Sequence, residues 1–451
     1  MPNRDSIDFA NAEIPKLFRK IFIPTLMGML SYSFVTVIDG IFVGQGVGSD
    51  AIAAINISFP IFLAITGFGL MLGMGTSVVA SLHLSHDNIK AARINVTQAL
   101  FFSTIVVLLI MAAVEIFPTE ISMMLGASDT LLPWVRDYMV WLIPAGVMQM
   151  WSVIGLFVIR LDGSPQFAMW CSVVPALLNI PLDWLFIYPL QMGVKGAAIA
   201  SMICTVIGGV MAMWYLLFRP KIFRFYYLKL SVKSFLLSIR NIGYQCRIGI
   251  SALMGEMTMA MLMFVGNITF MKYLGDDGVG AFGLACYYLP FVFNMGNTIA
   301  ESMQPIISFN YGRGNHLRVL SAVRIAVKTA FGGSLLSVML FTMFPGLLVG
   351  LFVDTGTTAA KVAISGFPLF AVGFLFFVLN LTAIGYFQSV EKVVPATLFA
   401  LLRGLVFLVP SFFFMPLLFG KSGIWLAMPV SEMLTFVSVL VYCCIKRKTV
   451  F

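Results

Sequence analysis

Five acidic residues fall inside apolar stretches of this chain: Asp39, Asp183, Glu256, Glu301 and Glu432. A charged side chain at the centre of a bilayer costs at least about 2.5–3.5 kcal/mol, so such groups face a bundle interior, a partner or water. The first four have no basic residue near them in the same stretch, which removes a salt bridge along the helix as an explanation. They are therefore candidate sites for a proton or a sodium ion, or else protonated carboxyls that hydrogen-bond between helices. Glu432 lies near the end of its stretch and is also compatible with a packing role.

The segment ALLNIPLD places a second oxygen-bearing side chain beside one of these acids. Asn179 and Asp183 are four residues apart, so on a helix both point to the same face. Amide and carboxylate oxygens are suitable ligands for a hard cation. The spacing predicts a cation site, and the alternative is a polar pair that joins neighbouring helices.

Methionine and aromatic residues accompany the acids on the same apolar stretches. The chain has 29 Met and 42 Phe, and most of these must face lipid or fill the protein interior. Methionine is adaptable and is common at promiscuous binding surfaces, while aromatic faces attract cations. The residues on the acid-bearing stretches, and hence the candidates for contact with a bulky cationic ligand, are Tyr32, Phe34, Met254, Met257 and Met261.

The composition identifies the kind of element that must hold these side chains. Of the 451 residues, 60% are hydrophobic and 10% are charged, against roughly 45–50% and 25% in soluble domains. Because about 20 apolar residues cross a bilayer, this chain has material for roughly ten to fourteen membrane helices. The composition excludes disordered, fibrous, nucleic-acid-binding and ordinary cytosolic classes. It predicts an all-α polytopic membrane protein.

Turn and charge clusters divide the chain into twelve predicted spans. Those of the first half are 17–43, 52–82, 93–115, 134–158, 167–188 and 195–218. Those of the second half are 243–271, 280–309, 320–352, 361–388, 393–419 and 422–445. With both termini in the cytoplasm, 23 of the 28 basic residues fall on the cytoplasmic side, as the positive-inside rule requires. The polar N-terminus lacks the features of a signal peptide, so we expect the first helix to be retained.

The two halves of the chain resemble each other. VGSDAIAA (47–54) matches LGDDGVGA (274–281) at an offset of 227, and TSVVASLHLSHDN (76–88) aligns with QPIISFNYGRGN (304–315) at 228. We therefore predict an N-terminal lobe over 1–218, a basic cytoplasmic linker over 219–240 and a C-terminal lobe over 241–451. Two six-helix lobes around a central cavity, which rock to give alternating access, are typical of transporters. For the basic linker, one interpretation is that its charges only fix the membrane topology. The alternative is that it forms a helix lying at the lipid surface.

Motifs for other chemistry are weak. GKS at 420–422 lacks the upstream glycine of a P-loop, so we expect no ATP hydrolysis and no enzymatic activity. The six cysteines show no CxxC spacing, which predicts neither a disulfide framework nor a zinc site. We expect no cofactor, and no metal beyond a possible sodium ion at Asp39, Asn179 and Asp183.

Several long segments resemble one transporter family. MLSYSFVTVIDGIFVGQGVGSDAIAAINISFPI (29–61) is similar to the segment joining the first and second helices of the multidrug and toxic compound extrusion (MATE) family. NIPLDWLFIYPLQMGVKGAAIAS (179–201) is similar to its fifth-to-sixth-helix motif, and RLDGSPQFAM (160–169) and QPIISFNYGRGN (304–315) also resemble family segments. The similarity spans about 17–445. Glu301 beside QPIISFNYG resembles the MepA-like bacterial branch.

This resemblance implies roles for individual residues. In the family, an Asp of the first helix and an Asn and Asp of the fifth form a cation site, which would here be Asp39, Asn179 and Asp183. Ser201 stands where the family usually has Thr, and it retains the hydroxyl of that site. Pro24 corresponds to the proline that bends the first helix.

The resemblance is weaker for a second cation site. In another branch, a Glu of the seventh helix and an Asp of the tenth shape a C-terminal-lobe site. Glu256 fits the former, but the tenth span has no acid and only Asn380. This departure favours substrate binding for Glu256 and Glu301, with Tyr32 and Met257 as further candidates.

The resemblance implies a secondary antiporter that exports organic cations or drugs in exchange for Na⁺ or H⁺. We expect small cationic or amphipathic substrates and a monomer in the bacterial cytoplasmic membrane, with no nucleic-acid partner. A lipid-linked glycan flippase of the same broader superfamily is the main alternative, although such proteins need cationic residues in the cavity. A channel or a non-transport membrane scaffold is the third possible class of function.

Overall fold

Helices form all the regular structure in the part of the chain that is described. The computed structural model describes residues 8–47, 49–125, 127, 129, 131–228 and 231–446, and no strand occurs among them. The predicted topology also drew on bases of the N-terminal segment 1–7 and the tail 447–451, and on Lys229 in the linker. These positions lie outside the described residues, as does Gly48 in the first predicted repeat segment.

The described residues of the first half of the chain form eight helices. These are α1 (Ile14–Gly46), α2 (Ser49–Ser85), α3 (Ile89–Ile116), α4 (Pro118–Met124), α5 (Leu132–Leu142), α6 (Gly146–Leu161), α7 (Pro165–Ile187) and α8 (Gly193–Phe218). A single 3₁₀ turn, Ile143–Ala145, joins α5 to α6, so Leu132–Leu161 acts as one membrane span.

The second half contains longer helical segments. These are α9 (Val232–Gly312), α10 (His316–Met343), α11 (Pro345–Gly350), α12 (Thr358–Ser389), α13 (Val393–Leu401) and α14 (Leu408–Ile445). A π-helical turn, Leu402–Val406, lies between α13 and α14. Backbone breaks divide two of these segments: Gly275 in α9 has φ 66° and Gly420 in α14 has φ 58°. Glycine adopts such angles without steric cost, so each break separates two spans.

The described helices account for the predicted spans. Eleven are long and apolar enough to cross a membrane, and the last of these, Val393–Ile445, contains the break at Gly420. Gly275 lies within the predicted glycine-bearing turn at 274–281. The all-helical polytopic fold is therefore confirmed.

The chain separates into two compact units. The first comprises Met1–Ala12 and Arg19–Gly249, and the second comprises Glu13–Phe18 and Ile250–Phe451. The early part of α9 thus packs with the first unit, and the predicted lobe limits at 218 and 241 stay a prediction. The physical reason lies in how closely α9 packs on α2 and α3, described next.

The beginning of α9 is held to the first unit by polar contacts and by two glycines. Gln245 is fully buried; its Oε1 accepts a hydrogen bond from Thr76 at 2.9 Å and its Nε2 donates to Asn95 at 2.9 Å. A side-chain carbon on Gly75 would collide with the Gln245 carbonyl, and one on Gly249 would collide with the Met71 carbonyl. The backbones of α2 and α9 therefore approach as closely as small residues permit.

The linker is tied to the same unit through Asp162. Its carboxylate is 1% exposed and accepts hydrogen bonds from the backbone N–H groups of Lys221, Ile222 and Phe223 at 2.7–3.0 Å. The Tyr215 hydroxyl donates a further bond at 2.8 Å. The described part of the linker before Val232 is not helical, because one buried carboxylate satisfies three of its backbone donors instead.

Each unit has its own core. In the first unit, small and branched residues of α1, α2, α5, α7 and α8 pack together, among them Val43, Ala51, Leu142, Ile187 and Ala198. In the second unit the core is aromatic, and its buried rings meet face to face or edge to face. These rings are Phe270, Phe282, Phe341, Phe367, Phe370, Phe374 and Trp425.

Candidate functional site

The first unit brings the predicted cation-site residues of α1 and α7 together. Asp39 is half-buried, Asn179 is 6% exposed and Asp183 is 1% exposed. Asp39 and Asp183, 144 positions apart in sequence, lie close enough for their carboxyl groups to interact. Asn179 and Asp183 lie one turn apart on α7, as their spacing predicted.

The polar atoms of this group lack hydrogen-bond partners at standard geometry. Asp39 Oδ1, Asn179 Nδ2 and both carboxyl oxygens of Asp183 are buried without such a partner among the residues that the structure describes. Buried polar groups in folded proteins are nearly always hydrogen-bonded, so such exceptions require an explanation. Two neighbouring carboxyl groups with unsatisfied oxygens are suited to bind a proton or a hard monovalent cation.

Two further residues surround the carboxyl pair, and sequence reasoning missed both. Tyr138 of α5 is 4% exposed and lies within electrostatic range of Asp39, Asp183 and Tyr32. Cys204 of α8 is 6% exposed and also lies within range of both carboxyl groups. A single Tyr and a single Cys in apolar helices give no sequence signal, because such residues usually have packing roles.

Ser201 lies on the side of α8 that carries Cys204. The two residues are three positions apart, within one helix, and therefore share a face. Ser201 is half-buried. This placement is compatible with the role that the resemblance implies for its hydroxyl, which stays a prediction.

Pro24 lies fifteen residues before Asp39, inside α1. It is buried, and the helix runs without interruption from Ile14 to Gly46. Because proline removes one helical hydrogen bond and crowds the preceding turn, Pro24 is the position at which α1 can most easily bend.

The second unit brings together two of the predicted substrate-site acids. Glu256 is half-buried, Glu301 is 5% exposed, and their charges are within interaction range. They lie on the two parts of α9 that Gly275 separates, which is why residues 45 positions apart in sequence come close. Their mutual repulsion favours a cation beside them.

The predicted aromatic and methionine contacts are exposed. Tyr32 is 52% exposed and Met257 is 57% exposed. Met257 follows Glu256 directly, and Tyr32 lies two turns before Asp39 on α1. Their role in substrate binding stays a prediction.

The remaining membrane acid, Glu432, has well-defined partners. Its Oε1 accepts a hydrogen bond from Arg403 Nε at 2.7 Å, and its Oε2 accepts one from Asn380 Nδ2 at 2.8 Å. Asn380, the tenth-span residue to which the resemblance assigned no role, thus donates a hydrogen bond to the Glu432 carboxylate of α14.

Comparison with known proteins identifies the family. The sequence profile of the MatE family matches residues 24–185 and again residues 252–414. The chain belongs to the MatE family. Because the second match begins 228 residues after the first, the comparison also confirms the internal repeat.

Curated relatives in this family are export proteins. The multidrug export protein MepA of Staphylococcus aureus (strain MRSA252) is 23% identical over 453 residues, covering 98% of this chain and 96% of the relative. MepA of Staphylococcus saprophyticus is 24% identical, covering 94% of this chain and 92% of the relative. The predicted similarity to the MepA-like branch is therefore confirmed, and these relatives are transporters rather than enzymes.

Solved structures show the same fold. A multidrug resistance MATE family transporter of the MOP superfamily in an outward-facing conformation superposes with a TM-score of 0.91 at 21% identity, covering 100% of this chain and 99% of the other. A MOP superfamily transporter from Pyrococcus furiosus, described as having a binding pocket of reverse polarity, gives a TM-score of 0.89 at 20% identity and the same coverage. This MatE-family chain is thus a multi-pass membrane protein with the fold of MATE transporters.

Proposed function

We propose that the protein is a secondary active antiporter, which exports organic cations or drugs in exchange for Na⁺ or H⁺ by alternating access. Membership of the MatE family and the names of the MepA relatives support drug export. The observation that carries ion coupling is the group of unsatisfied oxygens at Asp39 and Asp183.

The ion site of the proposal comprises Asp39, Asn179 and Asp183, with Ser201 as an additional ligand. Two carboxylates without a basic partner in a low-dielectric interior are unstable together, so one proton or sodium ion stabilises the pair. Asn179 supplies an amide oxygen on the same helix face as Asp183. The site therefore takes up an ion in one conformation and releases it in another that hydrates the carboxylates.

The substrate site of the proposal centres on Glu256 and Glu301. Their negative charges attract cationic substrates, and a methionine side chain such as Met257 accommodates apolar groups of varied shape. An adaptable surface of this kind accounts for a broad substrate range.

Coupling follows if the ion and the substrate favour different conformations. Ion binding at Asp39 and Asp183 stabilises the conformation with the lower substrate affinity, so the ion gradient drives release. The proposal places the protein in the bacterial cytoplasmic membrane with both termini in the cytoplasm, as the distribution of basic residues favours.

Buried bases give little support to the flippase alternative. Arg403, the base nearest to a span interior in sequence, is 1% exposed, pairs with Glu432 and stacks on Phe377 with its guanidinium carbon 4.0 Å from the ring centroid. Its charge is neutralised by a protein carboxylate, and it is not presented to an anionic headgroup.

Reconstitution into liposomes tests the proposal. Sodium and pH gradients are imposed separately while ethidium accumulation is followed by fluorescence, and we expect accumulation under one gradient and none without a gradient. Liposomes without protein are the control. Equal ethidium flux with and without both gradients, or a continuous ion conductance, would contradict antiport.

A further inference from the structure

The second unit contains a buried cluster that the proposed transport sites do not use. It consists of Asn380 on α12, Arg403 in the π-helical turn and Glu432 on α14, which are 0%, 1% and 2% exposed. Arg403 Nε donates to Glu432 Oε1 at 2.7 Å, and Asn380 Nδ2 donates to Glu432 Oε2 at 2.8 Å and to the Glu432 backbone carbonyl at 2.9 Å. Three segments of the unit therefore meet at one carboxylate.

Arg403 is held through both its side chain and its backbone. The guanidinium group stacks on Phe377 with its central carbon 4.0 Å from the ring centroid, and the Ser431 hydroxyl donates to the Arg403 backbone carbonyl at 3.4 Å. The π-helical turn that carries Arg403 adds a residue to the helical turn, an irregularity that is frequent at functional sites.

Two polar atoms of the cluster are left without partners. Arg403 Nη2 and Asn380 Oδ1 are both buried and unbonded within the described part of the chain. A buried pair that served only to join helices would be expected to satisfy its donors and acceptors. Here one donor, Arg403 Nη2, and one acceptor, Asn380 Oδ1, remain without a partner among the described residues.

A comparison of the two units shows what Arg403 supplies. Both units contain a carboxylate that is almost fully buried, Asp183 in the first and Glu432 in the second. Neither oxygen of Asp183 has a partner among the described residues, whereas both oxygens of Glu432 are bonded and one bond comes from a cation. A buried carboxylate requires a compensating positive charge or a proton, and in the second unit the protein provides that charge itself.

We propose that the surroundings of Glu432 form a monovalent-cation site whose permanent occupant is the guanidinium group of Arg403. Because this occupant is covalently attached, Glu432 exchanges no ion during transport. Removal of the Arg403 side chain exposes the site, which then binds a free guanidinium-type cation between Glu432, Asn380 and Phe377. This inference goes beyond the proposed function, since it concerns residues outside both proposed transport sites.

Chemical rescue tests this inference. Arg403→Ala is purified in detergent, and its thermal unfolding is measured with millimolar methylguanidinium, sodium or choline chloride. We expect a lower Tm than in the wild-type protein, and a saturable increase in Tm with methylguanidinium that choline does not reproduce. The wild-type protein, whose site is already occupied, should show no such increase.

The matched control is the double variant Arg403→Ala/Glu432→Gln, which has the same cavity without the carboxylate. We expect no methylguanidinium rescue in this variant. Equal rescue in the single and double variants, or a Tm of Arg403→Ala that equals the wild-type value and does not respond to any cation, would overturn the inference.

A second measurement covers the case in which Arg403→Ala does not fold in the absence of the cation. The single and double variants are then expressed and solubilised with millimolar methylguanidinium throughout, and the yield of monodisperse protein is measured. We expect the cation to increase the yield of Arg403→Ala only, and no increase in either variant would refute the site. Neither measurement requires export activity, so failure of the antiport proposal and failure of this inference are distinguishable.

Discussion

At the scale of single residues, the two carboxyl groups of the first unit are the most informative feature. Asp39 and Asp183 come from helices far apart in sequence and meet with oxygens that lack hydrogen-bond partners within the described residues. Because their hydrogen-bonding capacity is unsatisfied among the described residues, a proton or another cation is needed to compensate their charge. This requirement separates them from Glu432, which a neighbouring arginine neutralises.

Asp183→Asn and Asp39→Asn should each reduce ion-driven export to the background of empty liposomes. The substitution preserves side-chain shape but removes the charge that binds the coupling ion, so both variants should reach the membrane in normal amounts. Ethidium export and the amount of protein in the membrane are the measurements.

The matched control for these variants is Asp354→Asn, in an exposed loop where Oδ1 accepts a bond from the Gly356 N–H at 2.9 Å. An asparagine oxygen can accept the same bond, so this variant should export normally. Near-normal export by both Asp39→Asn and Asp183→Asn would contradict the assigned ion site.

Glu256→Gln and Glu301→Gln should weaken the transport of cations selectively. A hydrogen bond to a charged group contributes about 1.5–3 kcal/mol, and each 1.4 kcal/mol changes affinity about tenfold. We therefore expect KM for a cationic substrate to rise about tenfold or more, while KM for an uncharged apolar substrate changes little. An equal rise for both substrates would point to a general packing defect instead.

At the scale of helices, sequence patterns are sufficient to predict the membrane spans and the residue pairs that share a face of one helix. The span limits follow from apolar runs, and Asn179 and Asp183 share a face because four residues make about one helical turn. Contacts between helices could not be obtained in this way. Nothing in the sequence near Tyr138, or around the Asn380–Arg403–Glu432 cluster, specifies which helix will lie beside it, because that depends on packing between distant segments.

The same limit explains the placement of the early part of α9. Charge composition indicated only that a basic linker precedes it, but Asp162 binds the linker backbone and Gln245 bonds to α2 and α3. These contacts come from single polar residues whose partners are distant in sequence. The MATE-like motif RLDGSPQFAM contains Asp162, so its structural role is to anchor the start of the linker.

Gly249→Ala should destabilise the first unit by disrupting the crossing of α9 and α2. The added methyl group would collide with the Met71 carbonyl, and forcing extra volume into a packed interior costs about 1–3 kcal/mol. We expect a lower Tm in detergent, measured by light scattering or by intrinsic fluorescence.

Gly243→Ala, on the same helix, is the matched control for this prediction. Nothing lies within 4 Å of the position that its methyl group would occupy, and alanine favours a helix over glycine by about 0.8–1.0 kcal/mol. This variant should be as stable as the wild-type protein or slightly more so. Equal effects of the two substitutions would show that the close approach of α9 and α2 has no energetic importance.

At the scale of the whole molecule, antiport requires that the ion and the substrate oppose each other. The proposed ion site, at Asp39 and Asp183, lies in the first unit, and the proposed substrate acids Glu256 and Glu301 lie in the second. Coupling between separate sites is a free energy of typically about 1–3 kcal/mol, and it must be reciprocal. The coupling ion should therefore weaken substrate binding by the same factor by which the substrate weakens ion binding.

This reciprocity gives the most stringent prediction for the transporter. In the purified protein, the Kd of ethidium, measured by fluorescence, should rise about 5–150-fold as the coupling ion saturates its site. Asp183→Asn should make the Kd of ethidium independent of the coupling ion. Glu256→Gln should raise this Kd at every ion concentration but leave its dependence on the ion in place, because the substitution removes an attraction to the substrate without changing the ion site. If Asp183→Asn retained the full ion dependence, coupling would have to originate at other residues; if Glu256→Gln abolished it, the two units would not divide ion and substrate binding between them.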